Sequence, residues 1–131
     1  LRSYLPLPAG AVLAFQGKLE AAAGTAPFMA LPKLGGENLM RGYLQGRYRD
    51  AVFAGLQAEA RFPLAGRFGA AAFLGLGQVA PGLGGLSLAG FKPSVGGGLR
   101  VRITGEGNVL RLDYAFGRGT TGFYVTVNEA F

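Results

Sequence analysis

Apolar and polar residues alternate with period two along most of this chain, in segments of about ten to thirteen residues. Successive side chains on a strand point to opposite faces, so the pattern predicts an all-β fold. Ala11 to about Ala23 sets Leu13, Phe15, Leu19 and Ala21 against Gln16, Lys18 and Glu20. Ala51 to Phe62 sets Val52, Ala54, Leu56, Ala58, Ala60 and Phe62 against Gln57, Glu59 and Arg61. Arg67 to Val79 has Phe68, Ala70, Ala72, Leu74 and Leu76 on one face and mostly small residues on the other: Gly69, Ala71, Gly75 and Gly77. Ser94 to Thr104 opposes Val95, Leu99, Val101 and Ile103 to Gly96, Gly98, Arg100 and Arg102. Val109 to Gly117 opposes Leu110, Leu112, Tyr114 and Phe116 to Arg111 and Asp113, and Thr121 to Phe131 opposes Phe123, Val125, Val127 and Phe131 to Tyr124, Thr126 and Asn128. Leu1–Pro8 reads as the end of one more strand, closed by its prolines, which cannot sit in a central ladder.

These segments exceed the usual strand length of about five or six residues and match the roughly nine to eleven that a tilted strand needs to cross a bilayer. Short turns are expected near residues 9, 65, 106 and 119, the third at Gly105-Glu106-Gly107-Asn108, and longer loops near 25–50 and 80–93. That alternation is the habit of outer-membrane barrels. Charged residues make up only 15% of the chain while 50% is apolar, too few charges to cover the outside of a soluble barrel or sandwich. The inverted arrangement fits better, with apolar faces toward lipid and sparse charges toward an enclosed interior where they can pair.

The expectation is therefore an antiparallel transmembrane β-barrel, with residues 1–131 forming one barrel domain or a segment of one. About seven to eight strands come from this chain: six full strands and the tail of a seventh, with either an eighth short strand near Leu83–Ala89, or a chain that is a fragment, or one that pairs with another chain. It closes alone, with a second chain, or as part of a larger barrel. Phe68 to Phe91 is uncharged and long enough to suggest a membrane helix, but Pro81 and seven glycines break it up.

Composition narrows the function classes. Without cysteine there is no disulfide framework or thiol metal site, and without histidine the commonest general base and metal ligand are missing, so neither a metal nor another cofactor is expected. The serines at 3, 87 and 94 have no histidine base, and no glycine-rich phosphate motif follows a strand and opens a helix. An enzyme is not expected. The net charge of +6 is spread over strands rather than clustered, which argues against nucleic acid as a partner and for membrane lipid. Starting at Leu1 with no signal peptide, the sequence reads as a processed chain or a piece of a longer one.

The loop near 25–50 breaks the alternation and is dense in glycine, arginine and tyrosine, notably at Leu34-Gly35-Gly36, Met40-Arg41-Gly42-Tyr43 and Gly46-Arg47-Tyr48-Arg49-Asp50. These motifs, with Glu59-Ala60-Arg61-Phe62-Pro63, Gly97-Gly98-Leu99-Arg100, Leu110 to Gly117 and Gly122 to Phe131, resemble the carboxy-terminal part of the BamA/TamA-type outer-membrane assembly barrels, the bacterial surface antigen family. The likeness covers nearly the whole chain. The Arg41-Gly42-Tyr43 loop carries most of its specificity.

The resemblance implies a loop that folds back into the barrel interior. Arg41 would be the inserted cation, Gly42 would allow a tight turn or close approach to the wall, and Tyr43 would pack on the inner surface. Glu59 and Asp113, on the charged faces, are the expected partners of Arg41; pairing with Arg61, Arg100 or Arg111 on adjacent strands is the alternative. Phe123, Val125, Val127 and the final Phe131 resemble the family's outer-membrane targeting signal. Two departures stand out. The family often has an aspartate where this chain has Gly75, and its barrels have sixteen strands, usually preceded by soluble periplasmic modules. The implied location is the bacterial outer membrane, and the implied role is insertion or translocation of protein or lipid, with a polypeptide client. A missing barrel half or a second copy would complete the wall. The other reading is a structural or anchoring barrel without transport.

Overall fold

A computed structural model describes residues 1–103 and 107–131. Alternation becomes one antiparallel meander of seven strands. They are β1 (Arg2–Pro6), β2 (Val12–Ala21), β5 (Val52–Pro63), β6 (Phe68–Ala80), β7 (Lys92–Arg102), β8 (Val109–Gly117) and β9 (Thr120–Val127), hydrogen-bonded in the order β1-β2-β5-β6-β7-β8-β9. The remaining two, β3 (Lys33–Leu34) and β4 (Tyr48–Arg49), pair only with each other and pinch the base of the 35–47 loop. Among the described residues β1 and β9 do not pair, so the sheet curls without closing into a barrel.

Register puts the expected faces together. Leu56 lies opposite Leu76, Leu74 opposite Val95, Leu99 opposite Leu112, and Leu112 opposite Val125. This face is bare: Leu56, Leu74, Leu99, Phe123 and Val125 are all more than half exposed. The other face is covered. Gln57, Glu59, Phe73, Ser94, Arg100, Arg111 and Asp113 are buried on it. Polar inside and apolar outside is the reverse of a soluble sandwich, whose core comes from its apolar faces.

What covers the inner face is chain from the same molecule. Leu34, Met40 and Tyr43 of the 35–47 loop and its base form a cluster with Phe53 of β5. At the opposite end Ala130 and Phe131 pack on Ala14 of β2. Tail and loop thus both lie within the curl.

Three expectations change. No eighth strand forms near Leu83–Ala89. Two 3-10 turns, Leu83–Gly85 and Leu88–Gly90, stand there instead, tied down by Gln78, whose Oε1 accepts from the Ser87 N–H at 3.2 Å. Secondly, the last strand stops at Val127. Asn128 takes a left-handed φ of +70°, which ends the pleat and turns Phe131 inward, so Phe131 does not share the outer face of Phe123, Val125 and Val127. Thirdly, not all short turns share an end of the sheet. Those near 9 and 65 do, but the Arg118-Gly119 turn joins β8 to β9 at the end of the two long loops. The expected turn at Gly105-Glu106-Gly107-Asn108 begins outside the described residues.

Candidate functional site

The site is built from one loop and the five strands β5 to β9. Period two places Glu59 and Arg61 of β5, Arg100 of β7, and Arg111 and Asp113 of β8 on the inner face. The curl turns these strands toward one another, and the loop lowers Arg41 between them. Arg41 is fully buried. Its Nη1 donates to Asp113 Oδ2 at 2.5 Å and its Nη2 donates to Glu59 Oε2. The planar guanidinium lies over the Phe73 ring, 3.4 Å from the centroid. Its backbone carbonyl accepts from the Ser94 hydroxyl of β7.

Both carboxylates are shared. Glu59 also accepts from Arg61 Nε at 2.8 Å and lies 3.5 Å from Arg100 Nη2. Asp113 also accepts from Arg100 Nη1 at 2.5 Å, with Arg111 Nε 3.2 Å from its other oxygen. The two pairings left open by the sequence are therefore not alternatives: each carboxylate holds the loop arginine and wall arginines together. This sharing matters energetically, because an uncompensated buried charge costs about 3–5 kcal/mol. Burying each apolar anchor of the loop, Leu34, Met40 or Tyr43, contributes about 1.5–3 kcal/mol. The sizes are comparable, so an unpaired Arg41 would cancel much of the apolar gain. Ion pairing decides whether the loop stays in.

Gly42 lies against the wall with φ +98°. A Cβ there would sit 2.8 Å from the Phe116 carbonyl carbon and 2.9 Å from the Gly117 nitrogen, both backbone atoms of β8. Only glycine fits both the conformation and the space. Its N–H donates to the Tyr124 hydroxyl of β9 at 2.8 Å. Tyr43 donates its hydroxyl to the Pro93 carbonyl at 2.7 Å and accepts from the Arg118 N–H at 2.8 Å, bracing the loop against β7 and the β8–β9 turn. Arg111 Nη2 donates to the Glu37 carbonyl at 2.7 Å, and Gln57 Nε2 to the Asn38 carbonyl at 3.0 Å, so the wall also grips the loop's backbone.

The structure thus brings Arg41, Gly42, Tyr43, Glu59 and Asp113 together. Phe123, Val125 and Val127 stay apart on the outer face, and Phe131 lies inside under Arg61, which donates to its carbonyl at 2.8 Å. At Gly75, where an aspartate would mark the resembled family, a Cβ would come within 3.4 Å of Met40 Sδ; with Gly77 it leaves the hollow that receives Met40. Sequence reasoning overlooked Phe73, Ser94 and Glu129. For Phe73 the signal was present: its parity is that of Ala71 and Gly75, so a large aromatic stood on an otherwise small face. Glu129 pairs with Arg100 at 2.9 Å only because the chain bends at Asn128, which alternation does not announce.

Comparisons with protein-family models and with curated proteins find no match to this chain.

Proposed function

We propose that this chain is the carboxy-terminal wall of an outer-membrane β-barrel of the BamA/TamA type, and that it serves insertion or translocation of polypeptide or lipid at that membrane. The observation that carries this reading is the buried Arg41, delivered by a loop onto Glu59 and Asp113 of the inner wall. A glycine and a tyrosine follow it, both in contact with that wall. Supporting it are the bare apolar outer face and strands of 12, 13 and 11 residues for β5, β6 and β7, against the roughly nine to eleven that a tilted crossing requires. Arg41 acts as a removable bolt: docked, it fixes the loop across the interior, and its withdrawal would free the space it fills.

The test is Arg41→Glu in the chain reconstituted into vesicles. The charge reversal places a third carboxylate beside Glu59 and Asp113, so the loop is expected to leave the wall and become cleavable by chymotrypsin after Tyr43, which is buried while the loop is docked. Insertion of an added, unfolded outer-membrane client should slow with it. Client insertion at the unaltered rate, with the loop released, would refute the functional assignment.

A further inference from the structure

At the short-turn end of the curl lies a small cavity of about 140 Å³, on the far side of the Arg41 network from the long loops. Four arginines line it: Arg61 of β5, Arg67 at the start of β6, and Arg100 and Arg102 of β7. One carboxylate enters it, that of Glu129 from the inturned tail, held by Arg100 Nε at 2.9 Å with Arg61 Nε at 3.6 Å. We propose that this cavity is a binding site for a phosphate-class anion, with Glu129 occupying part of it as a built-in competitor.

Three observations converge on an anion. Charge comes first: Arg61 and Arg100 are shared among Glu59, Asp113 and Glu129, and Arg67 and Arg102 add two further cations at the cavity's rim. Register comes second. Arg67 and Arg102 are held side by side by a 2.8 Å bond from the Arg102 N–H to the Arg67 carbonyl, and like charges placed opposite each other on a sheet repel. Among the described residues, no carboxylate lies within ion-pair distance of either; a bound anion would compensate them. Third is the way Glu129 is held. Arg100 Nε–H, with Arg61 Nε nearby, already holds an oxyanion oxygen here, so the cavity presents guanidinium N–H groups to an anion. A volume of about 140 Å³ admits a phosphate group and excludes a folded segment. Such a group could come from free phosphate or from a phospholipid headgroup, since in the proposed orientation this end of the sheet lies at a membrane interface. The anion site rests on the cavity and its arginines, and only its lipid source rests on the proposed membrane orientation.

The experiment uses the chain folded in detergent, with folding followed by circular dichroism. Inorganic phosphate is titrated at constant ionic strength set with sodium chloride, and in a parallel arm nanodiscs with and without phosphatidic acid replace detergent. A saturable rise in melting temperature with phosphate, absent with chloride, is expected. Glu129→Gln, which removes the competitor, should tighten binding. The double variant Arg67→Gln/Arg102→Gln, at two exposed positions near a turn, should fold normally and weaken binding at least about tenfold, the loss of one charge-assisted contact or more. If only the phosphatidic acid arm responds, and the double variant removes that response, the site holds and its ligand is a lipid headgroup. The proposal is overturned if neither arm responds, or if binding is the same in the folded double variant.

Discussion

Arg41 concentrates the chemistry of this chain in one side chain. A guanidinium offers a planar fork that fits two carboxylates at once, and here it reaches Glu59 and Asp113 while stacking on Phe73. Truncating it leaves both carboxylates buried among fewer cations. Arg41→Ala is expected to lower stability by about 1.5–3 kcal/mol in a urea titration of the detergent-folded chain, the loss of charge-assisted hydrogen bonds, because Arg61, Arg100 and Arg111 still compensate the carboxylates. Arg41→Lys should recover only part of that loss, because an ammonium is a point charge without the fork. If alanine is tolerated within 0.5 kcal/mol or so, the network contributes nothing to holding the loop. The sequence made these partners legible by two routes together: the resemblance implied an inserted arginine that meets acidic wall groups, and parity placed Glu59 and Asp113 on the inward faces. It did not show that they would be shared with Arg61, Arg100 and Arg111, because sharing depends on how tightly the sheet curls, and curl is a tertiary property.

Among the elements, the strands were the most legible and the tail the least. Period two carries strand and face together, so β5 to β9 and their inward residues followed from the pattern. Asn128 then breaks the pleat, and what reads as one continuous outer face ends at Val127. Phe123 and Phe131, grouped by the sequence as one terminal signal, are separated: Phe123 is 65% exposed on the outer face, and Phe131 is 7% exposed, packed on Ala14 beneath Arg61. The two should respond differently to truncation. Phe131→Ala is expected to destabilise the folded chain by about 1.5–3 kcal/mol, the burial of one aromatic, whereas Phe123→Ala in detergent should shift it by less than about 0.5 kcal/mol. Equal losses in the same urea titration would mean that the tail does not hold its inturned position in solution. A role for these residues in targeting remains part of the proposed outer-membrane function, to be read separately by export in cells.

For the whole molecule, the number of strands in the sheet has a consequence for closure. Neighbours alternate direction across the seven-stranded sheet, so its two edges, β1 and β9, run the same way. A second copy rotated about the barrel axis would meet the first through parallel seams. An all-antiparallel wall requires a complement whose two edge strands run opposite to β1 and β9, which a copy in the same orientation does not supply and the rest of a sixteen-stranded wall would. Two copies should therefore not close on each other. The chain has no cysteine, so a pair introduced at Ser3 and Thr121 gives a clean reading: little disulfide between copies is expected, and efficient cross-linking into a discrete dimer would exclude this closure.

Beneath the proposed function lies the orientation of the sheet, apolar faces to lipid and ionised groups to an enclosed interior. It is tested most directly by a nitroxide scan along β8, residues 110 to 117, in bilayers, comparing collision with lipid-soluble oxygen and with a water-soluble nickel chelate. Labels at Leu110, Leu112, Tyr114 and Phe116 are predicted to favour oxygen, with Arg111, Asp113 and Ala115 shielded from it in strict alternation. Nickel access at Leu112 and Tyr114 equal to or above oxygen access would contradict the membrane orientation.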